Sequence, residues 1–566
     1  MKKLVAEILV KALKEKKISM KKEEIEKFIE IPPSHEMGDF AFPCYIFAGR
    51  MKQGPNEIAL ELREKIGNPP KEFEDIQTSG PYINFFLDRK ILASNLIKEI
   101  LTKKNKFGRK ESPSEQRIMV EFPAPNTNKP LHVGHLRNMS LGESISRILE
   151  FNGDNIIRAN LNNDRGIHIC KSMAAYKLYG KNKTPGKIKS DHFVGKFYVM
   201  FNEKVKKSKG LELESHHLLQ KWEEGDKQTH ALWSKMNKWA LKGFQETYKK
   251  FGISFDKEYY ESEIYKKGKE IILKGVEDKI FEKRADGAII VKLGDKLGEK
   301  VLLRSDGTSV YITQDLYLAQ LKFNQFKLDK SIYVVGNEQE YHFDVLFSIL
   351  KKLKFPFSTN LFHASHGMVN LPHGKIKSRE GKGADADDLI NEVQKLVKKE
   401  LQSRAKLSKR ELESRSLKIT LAAIKYFLLK IDAKKDMVFN PEESICFEGN
   451  TGPYLLYSYA RANSILKKTK TKKKQFVIKE LEPKEISLIK KLFQFSEIVE
   501  NSYNTLNPAL IANYAYQLSQ IFNEFYHDCP VLKSEKTSFR LALVQAFMEV
   551  LNSSLNLLGI ETLSEM

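Results

Sequence analysis

His132 and His135, separated only by Val133 and Gly134, are the side chains of this sequence best suited to chemistry. An imidazole can donate hydrogen bonds to phosphate near neutral pH, and a glycine between two of them lets a flat or phosphorylated ligand reach the backbone. The pair follows Glu121-Phe-Pro-Ala-Pro-Asn126 and Asn128-Lys-Pro130. Residues 117–122 read as a strand, and a helix is expected from about Gly134, so both histidines fall at a strand-to-helix turn. The N-terminus of a helix favours negative charge, and the combination suits a nucleoside triphosphate.

A second cluster, Gly374-Lys-Ile-Lys-Ser-Arg-Glu-Gly381, sets three cations between two glycines. Such a segment can close over a triphosphate and neutralise charge moving onto pyrophosphate. Taken alone, the same composition is common in exposed basic turns.

Other elements must hold these clusters in place. Residues 118–122 and 156–161 read as parallel strands around a crossover helix, with Leu141, Ile145, Ile148 and Leu149 on its buried face and Gly153 at its end. Such a unit implies a doubly wound sheet, whose ligands bind beyond the carboxyl ends of the strands, where His132 falls. Residues 167–290 are mostly helical, with Trp222, Trp233 and Trp239 close together, and read as an insertion. Strand-like runs return at 288–293, 310–313, 331–336 and 361–368, with a helical 340–353 between the last two. The sheet is therefore expected to be completed far from where it begins. Ahead of it, helical patterns at 1–16 and 55–66 flank extended segments such as 82–87, and the polar 102–116 reads as a linker. From about 385 the pattern is helical to the end, apart from polar breaks. One break, the polybasic 467–475, reads either as a solvated connection or as a phosphate contact. In the last helix Leu541, Val544, Met548, Leu551, Leu555 and Leu558 recur at helical spacing as core. The expected architecture is α/β: a Rossmann-like parallel-sheet catalytic domain at 113–400 with a helical insertion, an α+β domain at 1–112 before it, and an all-α bundle at 401–566 after it.

The composition agrees. A chain of 566 residues exceeds one ordinary core. Lys and Arg number 95 against 72 Asp and Glu, and the resulting charge of +23 attracts polyanions such as nucleic acid. A lysine-rich codon usage would give the same balance. No apolar run reaches the length of a membrane span. The opening MKKLVAEILVKALKEKK, with Glu7 and Glu15, reads as a core-facing amphipathic helix rather than a targeting peptide. Cys44, Cys170, Cys446 and Cys529 form no CxxC pair, which argues against a zinc ribbon and for reduced thiols in the cytoplasm. His192, His216 and His217 have poor metal-ligand spacing and read as ordinary helical residues, so no metal site is expected.

Taken together, His132-Val-Gly-His135, Lys375-Ile-Lys-Ser-Arg379, the leader at 121–130, Asn162-Asn-Asp164, Gly449-Asn-Thr-Gly-Pro-Tyr454, Asn507-Pro-Ala-Leu510 and Phe525-Tyr-His-Asp-Cys-Pro530 resemble the arginyl-tRNA synthetases of class I. The likeness spans nearly the whole chain. It implies activation of arginine by ATP with Mg2+ to an adenylate, then transfer to the 3′-terminal adenosine of tRNA(Arg). It also implies a monomeric cytoplasmic enzyme without zinc, whose activation step needs tRNA, with an N-terminal domain that meets the corner of the tRNA and a C-terminal anticodon-binding bundle.

On this resemblance His132, His135, Lys129, Lys377 and Arg379 serve catalysis, and His132, Gly134, His135, Lys375 and Ser378 bind ATP. Glu121, Asn126, Tyr311, Asp315 and Gln339 hold arginine, and Tyr454, Tyr457, Tyr459, Arg461 and Asn463 are candidates for tRNA contact. A buried guanidinium calls for carboxylates in a fork geometry, so even a basic chain must keep Asp315 and Glu121 in its pocket. A neutral amino acid would leave them unpaired. From local sequence Asp315 reads also as the N-cap of DLYLAQLK. Two positions depart from the family pattern. Ser378 stands where many class I enzymes carry a lysine, which passes that task to Lys129, Lys377 or Arg379. Arg165 stands where some members show Trp, and it is assigned no role.

Overall fold

The computed structural model describes residues 2–207, 209–372, 385–404, 406–469 and 476–566. The chain forms two compact units, one of residues 1–104, 470–493 and 525–546, the other of residues 105–469, 494–524 and 547–566.

In the first unit, apolar residues at helical spacing fold Lys2–Glu15 into a helix that buries Val5, Ala6, Leu9, Ala12 and Leu13. The helix Pro55–Ile66 starts on a proline whose fixed φ suits a first turn, and adds Ile58, Ala59 and Leu62 to the same core. Strands β1 (Phe40–Pro43), β2 (Phe73–Ser79) and β3 (Tyr82–Leu87) form an antiparallel sheet in the order β1-β3-β2. The extended segment expected at 82–87 is thus its central strand.

The second unit contains β4 (Arg117–Glu121), β5 (Asn155–Asn162), β6 (Lys257–Tyr260), β7 (Glu282–Lys283), β8 (Ile289–Lys292), β9 (Glu299–Leu303), β10 (Lys330–Gly336) and β11 (Leu361–His366). Five of them make a parallel sheet in the order β11-β10-β4-β5-β6. Ile118, Met119 and Val120 of β4 are all buried, as a strand covered on both faces requires. From β4 the chain order runs outward one way through β5 and β6, and the other way through β10 and β11. The order therefore reverses between β4 and β10, and a crevice forms beyond their carboxyl ends.

Three strand expectations need correction. The 288–293 run is β8, which belongs to a separate antiparallel sheet β7-β8-β9. The 310–313 run opens the helix Tyr311–Phe326, because its β-branched residues lie in the first turn of an amphipathic segment. Within the stretch read as a helical insertion, β6 is a true strand of the parallel sheet; four residues are too few to show a period. The linker expected at 102–116 begins inside the helix Arg89–Lys103.

Ahead of β6 the insertion is built from the helices Ile167–Tyr179, Ser190–Lys204, Lys209–Glu224 and Lys227–Phe251, and after it come Glu261–Ile264 and Lys269–Glu277. After a short parallel pair, β12 (Val369–Asn370) with β13 (Met437–Val438), the remaining described elements from Pro441 onward are helical. In the final long helix, Thr537–Leu557, Leu541, Val544, Leu551 and Leu555 are buried, as is Leu558 just beyond it, and Met548 is half-buried. No described helix is long and apolar enough to cross a membrane.

Candidate active site

The first histidine motif sits at the reversal point. β4 ends at Glu121, and the helix Val133–Phe151 starts one residue earlier than expected, with His132 as its N-cap. The His132 backbone N–H donates to Nδ1 of His135 at 3.0 Å. That bond assigns the His135 proton to Nε2, which remains a donor toward the crevice. The two rings lie 3.9 Å apart between centroids. A Cβ on Gly134 would stand 3.0 Å from Nδ1 and Cε1 of His132, so a side chain there would push that ring back by a few tenths of an ångström. Burial, with Lys129 assisting, pushes His132 down to about 3. Burial, then His132, Lys129 and His366, hold His135 well below the usual histidine range. Both rings are therefore neutral donors, suited to phosphate oxygens that gain charge in a transition state.

The loop before the motif is fixed by its neighbours. The Ala124 N–H donates to Oδ1 of Asn160 at 3.2 Å, the Asn163 amide donates to the Ala124 carbonyl at 3.0 Å, and Asn126 bridges Asn163. Asn126 itself is exposed at the carboxyl edge of the sheet.

Tyr311, Asp315 and Lys322 occupy one face of the helix Tyr311–Phe326, at spacings of four and seven residues. The helix is capped at Val310, so Asp315 is not an N-cap. Its carboxylate pairs with Nε2 of His342 at 2.7 Å. Burial opposes a charged His342 ring, but Asp315 outweighs it and raises His342 above its ordinary range. Lys322 is wholly buried and reaches Glu121 at 2.5 Å, so that carboxylate already has a cation. Gln339 is exposed in the short turn Asn337–Gln339 that follows β10.

A residue the sequence reading missed completes this region. Glu261 follows β6 directly, is 3 % exposed, and accepts a 3.3 Å bond from Gln314, the neighbour of Asp315. Burial pushes its carboxyl up to about 7, against the pull of Arg165, and the charges of Asp164 and Asp315 add to the rise. Only recognising β6 could have singled it out, since Glu261 then falls at the carboxyl end of a sheet strand. Asp164 serves as a brace, accepting from the Ser262 N–H and hydroxyl at 2.8 and 2.7 Å.

Lys375, Lys377, Ser378 and Arg379 lie outside the described residues, as do residues 470–475 of the polybasic run. The described flanks of the second motif are anchored beside the first. Asp385 bridges His132, and the Ala386 N–H donates to the Leu131 carbonyl at 2.9 Å. Arg137, wholly buried, donates to the carbonyls of Gly367, Met368, Asp432, Ala433 and Lys435 at 2.8–3.4 Å. His192, read as an ordinary helical residue, lies 3.4 Å from both Asp385 and Asp387. Asp191, His192 and Asp387 converge closely enough for a cation, and the Lys189 ammonium lies there, 2.8 Å from both carboxylates. His217 is exposed beside Glu214.

A separate cavity of about 610 Å3 opens against the helix Gly452–Lys467. Tyr454, Tyr457 and Arg461 line it at i, i+3 and i+7, together with Arg404, Phe447 and Asn523. Arg461 donates to Tyr457 Oη at 2.9 Å and Asn523 Oδ1 at 2.8 Å, and Asn523 donates to Tyr454 Oη at 2.9 Å. The Arg404 guanidinium covers the Phe447 ring at 4.3 Å. Tyr459 and Asn463 point to other sides of the helix, and the Asn463 amide donates to the Ser564 carbonyl at 2.8 Å. The Gly449-Asn-Thr-Gly-Pro-Tyr454 signature builds this start: Thr451 caps Tyr454, and a Cβ on Gly452 would stand 2.3 Å from the Ala422 carbonyl oxygen.

Comparison with known proteins agrees with this geometry. The family model for tRNA synthetases class I (R), catalytic domain, matches residues 96–441; an arginyl tRNA synthetase N terminal domain matches 1–87 and a DALR anticodon binding domain 455–566. An arginine–tRNA ligase of Treponema denticola is 46 % identical over 550 residues, covering 94 % of this chain and 93 % of its own. One of Borrelia hermsii is 42 % identical over 587 residues, covering 100 % and 99 %. The fold is that of the Thermus thermophilus arginyl-tRNA synthetase, with a TM-score of 0.80 at 24 % identity over the whole of both chains. On its catalytic-domain match and these relatives, the chain belongs to the arginyl-tRNA synthetase family of class I.

Proposed function

We propose that this chain joins L-arginine to tRNA(Arg) at the expense of ATP, taken as its Mg2+ salt, through an arginyl-adenylate. The substrate carboxylate attacks the α-phosphorus and pyrophosphate leaves; a ribose hydroxyl of the 3′-terminal adenosine then attacks the acyl carbon and AMP leaves. The observation that carries the reading is the pairing of two features at one sheet edge. Neutral His132 and His135 can donate to the α-phosphate, and at the carboxyl edge of the same sheet, two strands away, lies Glu261, bonded to Gln314, the neighbour of Asp315.

In this assignment Asp315, Glu261 and Tyr311 receive the guanidinium, while Asn126 and Gln339, exposed beyond β4 and β10, hold the α-amino and carboxylate end. Glu121, being paired with Lys322, supports the pocket from below rather than meeting the substrate alone. Lys129, with Lys375, Lys377, Ser378 and Arg379 of the second motif, supplies the phosphate contacts. Tyr454, Tyr457 and Arg461 take an unstacked base of the tRNA, for which rings and a guanidinium plane are the usual partners, and Tyr459 and Asn463 contribute less. Residues 1–112, 113–400 and 401–566 act as tRNA-binding, catalytic and anticodon-binding domains of a cytoplasmic monomer that needs no zinc.

Aminoacylation of purified tRNA with each of the twenty amino acids tests the reading. Arginine alone should be charged, and comparable charging of any other amino acid refutes it. ATP–pyrophosphate exchange is expected to stay near background until tRNA is added.

A further inference from the structure

Arg165 is a charged residue at the active-site edge that the function above leaves unused. It lies in the turn between β5 and the helix Ile167–Tyr179, and its guanidinium carbon stands 3.9 Å from the Tyr265 ring centre and 5.4 Å from that of Trp222. It bonds Glu223 at 2.7 Å and stands 4.0 Å from Oε1 of Glu261. The rings and Glu223 fix where this cation sits. Its distance from Glu261 is within strong Coulomb range but too long for a hydrogen bond. The Glu261 oxygens therefore keep most of their accepting capacity.

We propose that Arg165 is a positioning residue for amino acid selection: it holds Glu261 as a carboxylate while leaving its oxygens for the guanidinium of the substrate. The inference rests on Glu261 belonging to the arginine pocket.

The surroundings show why a resident cation is needed. Glu261 is faced by Arg165 and the Gln314 amide on the favourable side, and by Asp164 and Asp315 on the unfavourable side; Tyr311 stands near it as well. His342 is bonded to Asp315. With burial already lifting the Glu261 carboxyl to about 7, removing Arg165 lifts it further. A protonated carboxyl binds a guanidinium poorly, so arginine affinity is lost from the acid side upward. Below its pKa, a carboxyl that titrates one pH unit higher is ionised about tenfold less.

The test measures kcat/KM for arginine in aminoacylation from about pH 6 to about pH 9 for wild type, R165Q, R165W and R165K, with E261Q alongside. R165W sets a neutral ring against Tyr265 and Trp222 in place of the guanidinium, so it reports on charge should R165Q fold poorly. R165Q and R165W are expected to move the acid limb up by about one pH unit and raise the arginine KM about fivefold at neutral pH, approaching about tenfold at the acid end. They should approach wild type at the alkaline end with the ATP KM unchanged, and R165K should keep the limb in place. If the limbs of R165Q and R165W coincide with wild type, or the loss is the same at every pH, Arg165 is merely structural and the proposal fails. E261Q separates the two ideas: an unchanged arginine KM in E261Q removes Glu261 from the pocket, whereas a large rise there without any Arg165 effect overturns the proposal alone.

Discussion

In the pocket at Asp315 three carboxylates each stand beside a basic side chain: Asp315 with His342, Glu261 with Arg165, Glu121 with Lys322. In the cavity at Arg461 the cations meet rings and neutral oxygens as well as a carboxylate: Arg404 covers Phe447 while pairing with Glu400, and Arg461 meets Tyr457 and Asn523. In the first region Glu121, Glu261 and Lys322 are buried and Asp315 is half-buried, while Tyr311 is exposed. The second is an open cavity that presents rings and guanidinium planes. Burial makes each charge in the first region expensive to leave unpaired, so it can discriminate by several kcal/mol. Rings and guanidinium planes in the second region act through stacking and screened attraction, worth about 1–3 kcal/mol for each base. Selection of a small cation and capture of a large polyanion thus differ in how deeply their charges are buried.

The contrast breaks first at Asp315. Asp315→Asn removes a charge from the guanidinium site and leaves His342 without its anion. Loss of a charge-assisted pair in such a site costs about 3–4 kcal/mol, so kcat/KM for arginine should fall ~100- to 1,000-fold. Affinity for tRNA should stay within a few-fold in a binding assay. Near-normal arginine charging by this variant would place the pocket elsewhere.

The next effect concerns phosphate. Lys129 acts on both histidines electrostatically and precedes them by only a few residues. Lys129→Ala is expected to slow adenylate formation about tenfold in pre-steady-state measurements, with arginine affinity little changed. An unaltered rate would pass the phosphate role to Lys377 or Arg379. The pH response sharpens the same point. His132 is depressed to about 3, so it stays neutral as pH falls through 7, whereas Glu261 takes up a proton near about 7. The KM for ATP should therefore be nearly flat across that interval while kcat/KM for arginine declines. Parallel declines would mean that a histidine, not Glu261, carries the acid limb.

The two regions also differed in how far the sequence disclosed them. The histidine motif was legible because the turn, the glycine and the amphipathic helix after it are neighbours in sequence, and the sheet formed by β4 and β5 follows from two short apolar runs. Asp315 and Tyr311 stood out through the family likeness, although the 310–313 run looked like a strand until the helix Tyr311–Phe326 absorbed it. Glu261 was hidden because β6 has four residues and lies among helices. Arg404, Phe447 and Asn523 meet the helix Gly452–Lys467 from remote positions, and no local period announces such a meeting. Arg165 was legible only as a departure from the pattern; its purpose depends on Tyr265, Trp222 and Glu261, all brought to it by the fold.

The smallest effects test whether the open cavity is the face that meets RNA. Tyr454, Tyr457 and Arg461 share one side of their helix, while Tyr459 is five residues from Tyr454 and so about 140° around the axis. Arg461→Ala removes the bonds to Tyr457 and Asn523 along with a cation, and should raise the KM for tRNA about tenfold and lessen its salt dependence by roughly one phosphate contact. Tyr459→Ala should change that KM about twofold or less, since its ring lies off the cavity. In both variants the KM for arginine, measured at saturating tRNA, is expected to match the parent. If Tyr459→Ala weakens tRNA binding as much as Arg461→Ala, the contact surface wraps around the helix. The cavity would then be only one edge of a broader footprint, and the sharp division between a closed site for the amino acid and an open one for the nucleic acid would have to be redrawn along the helix face.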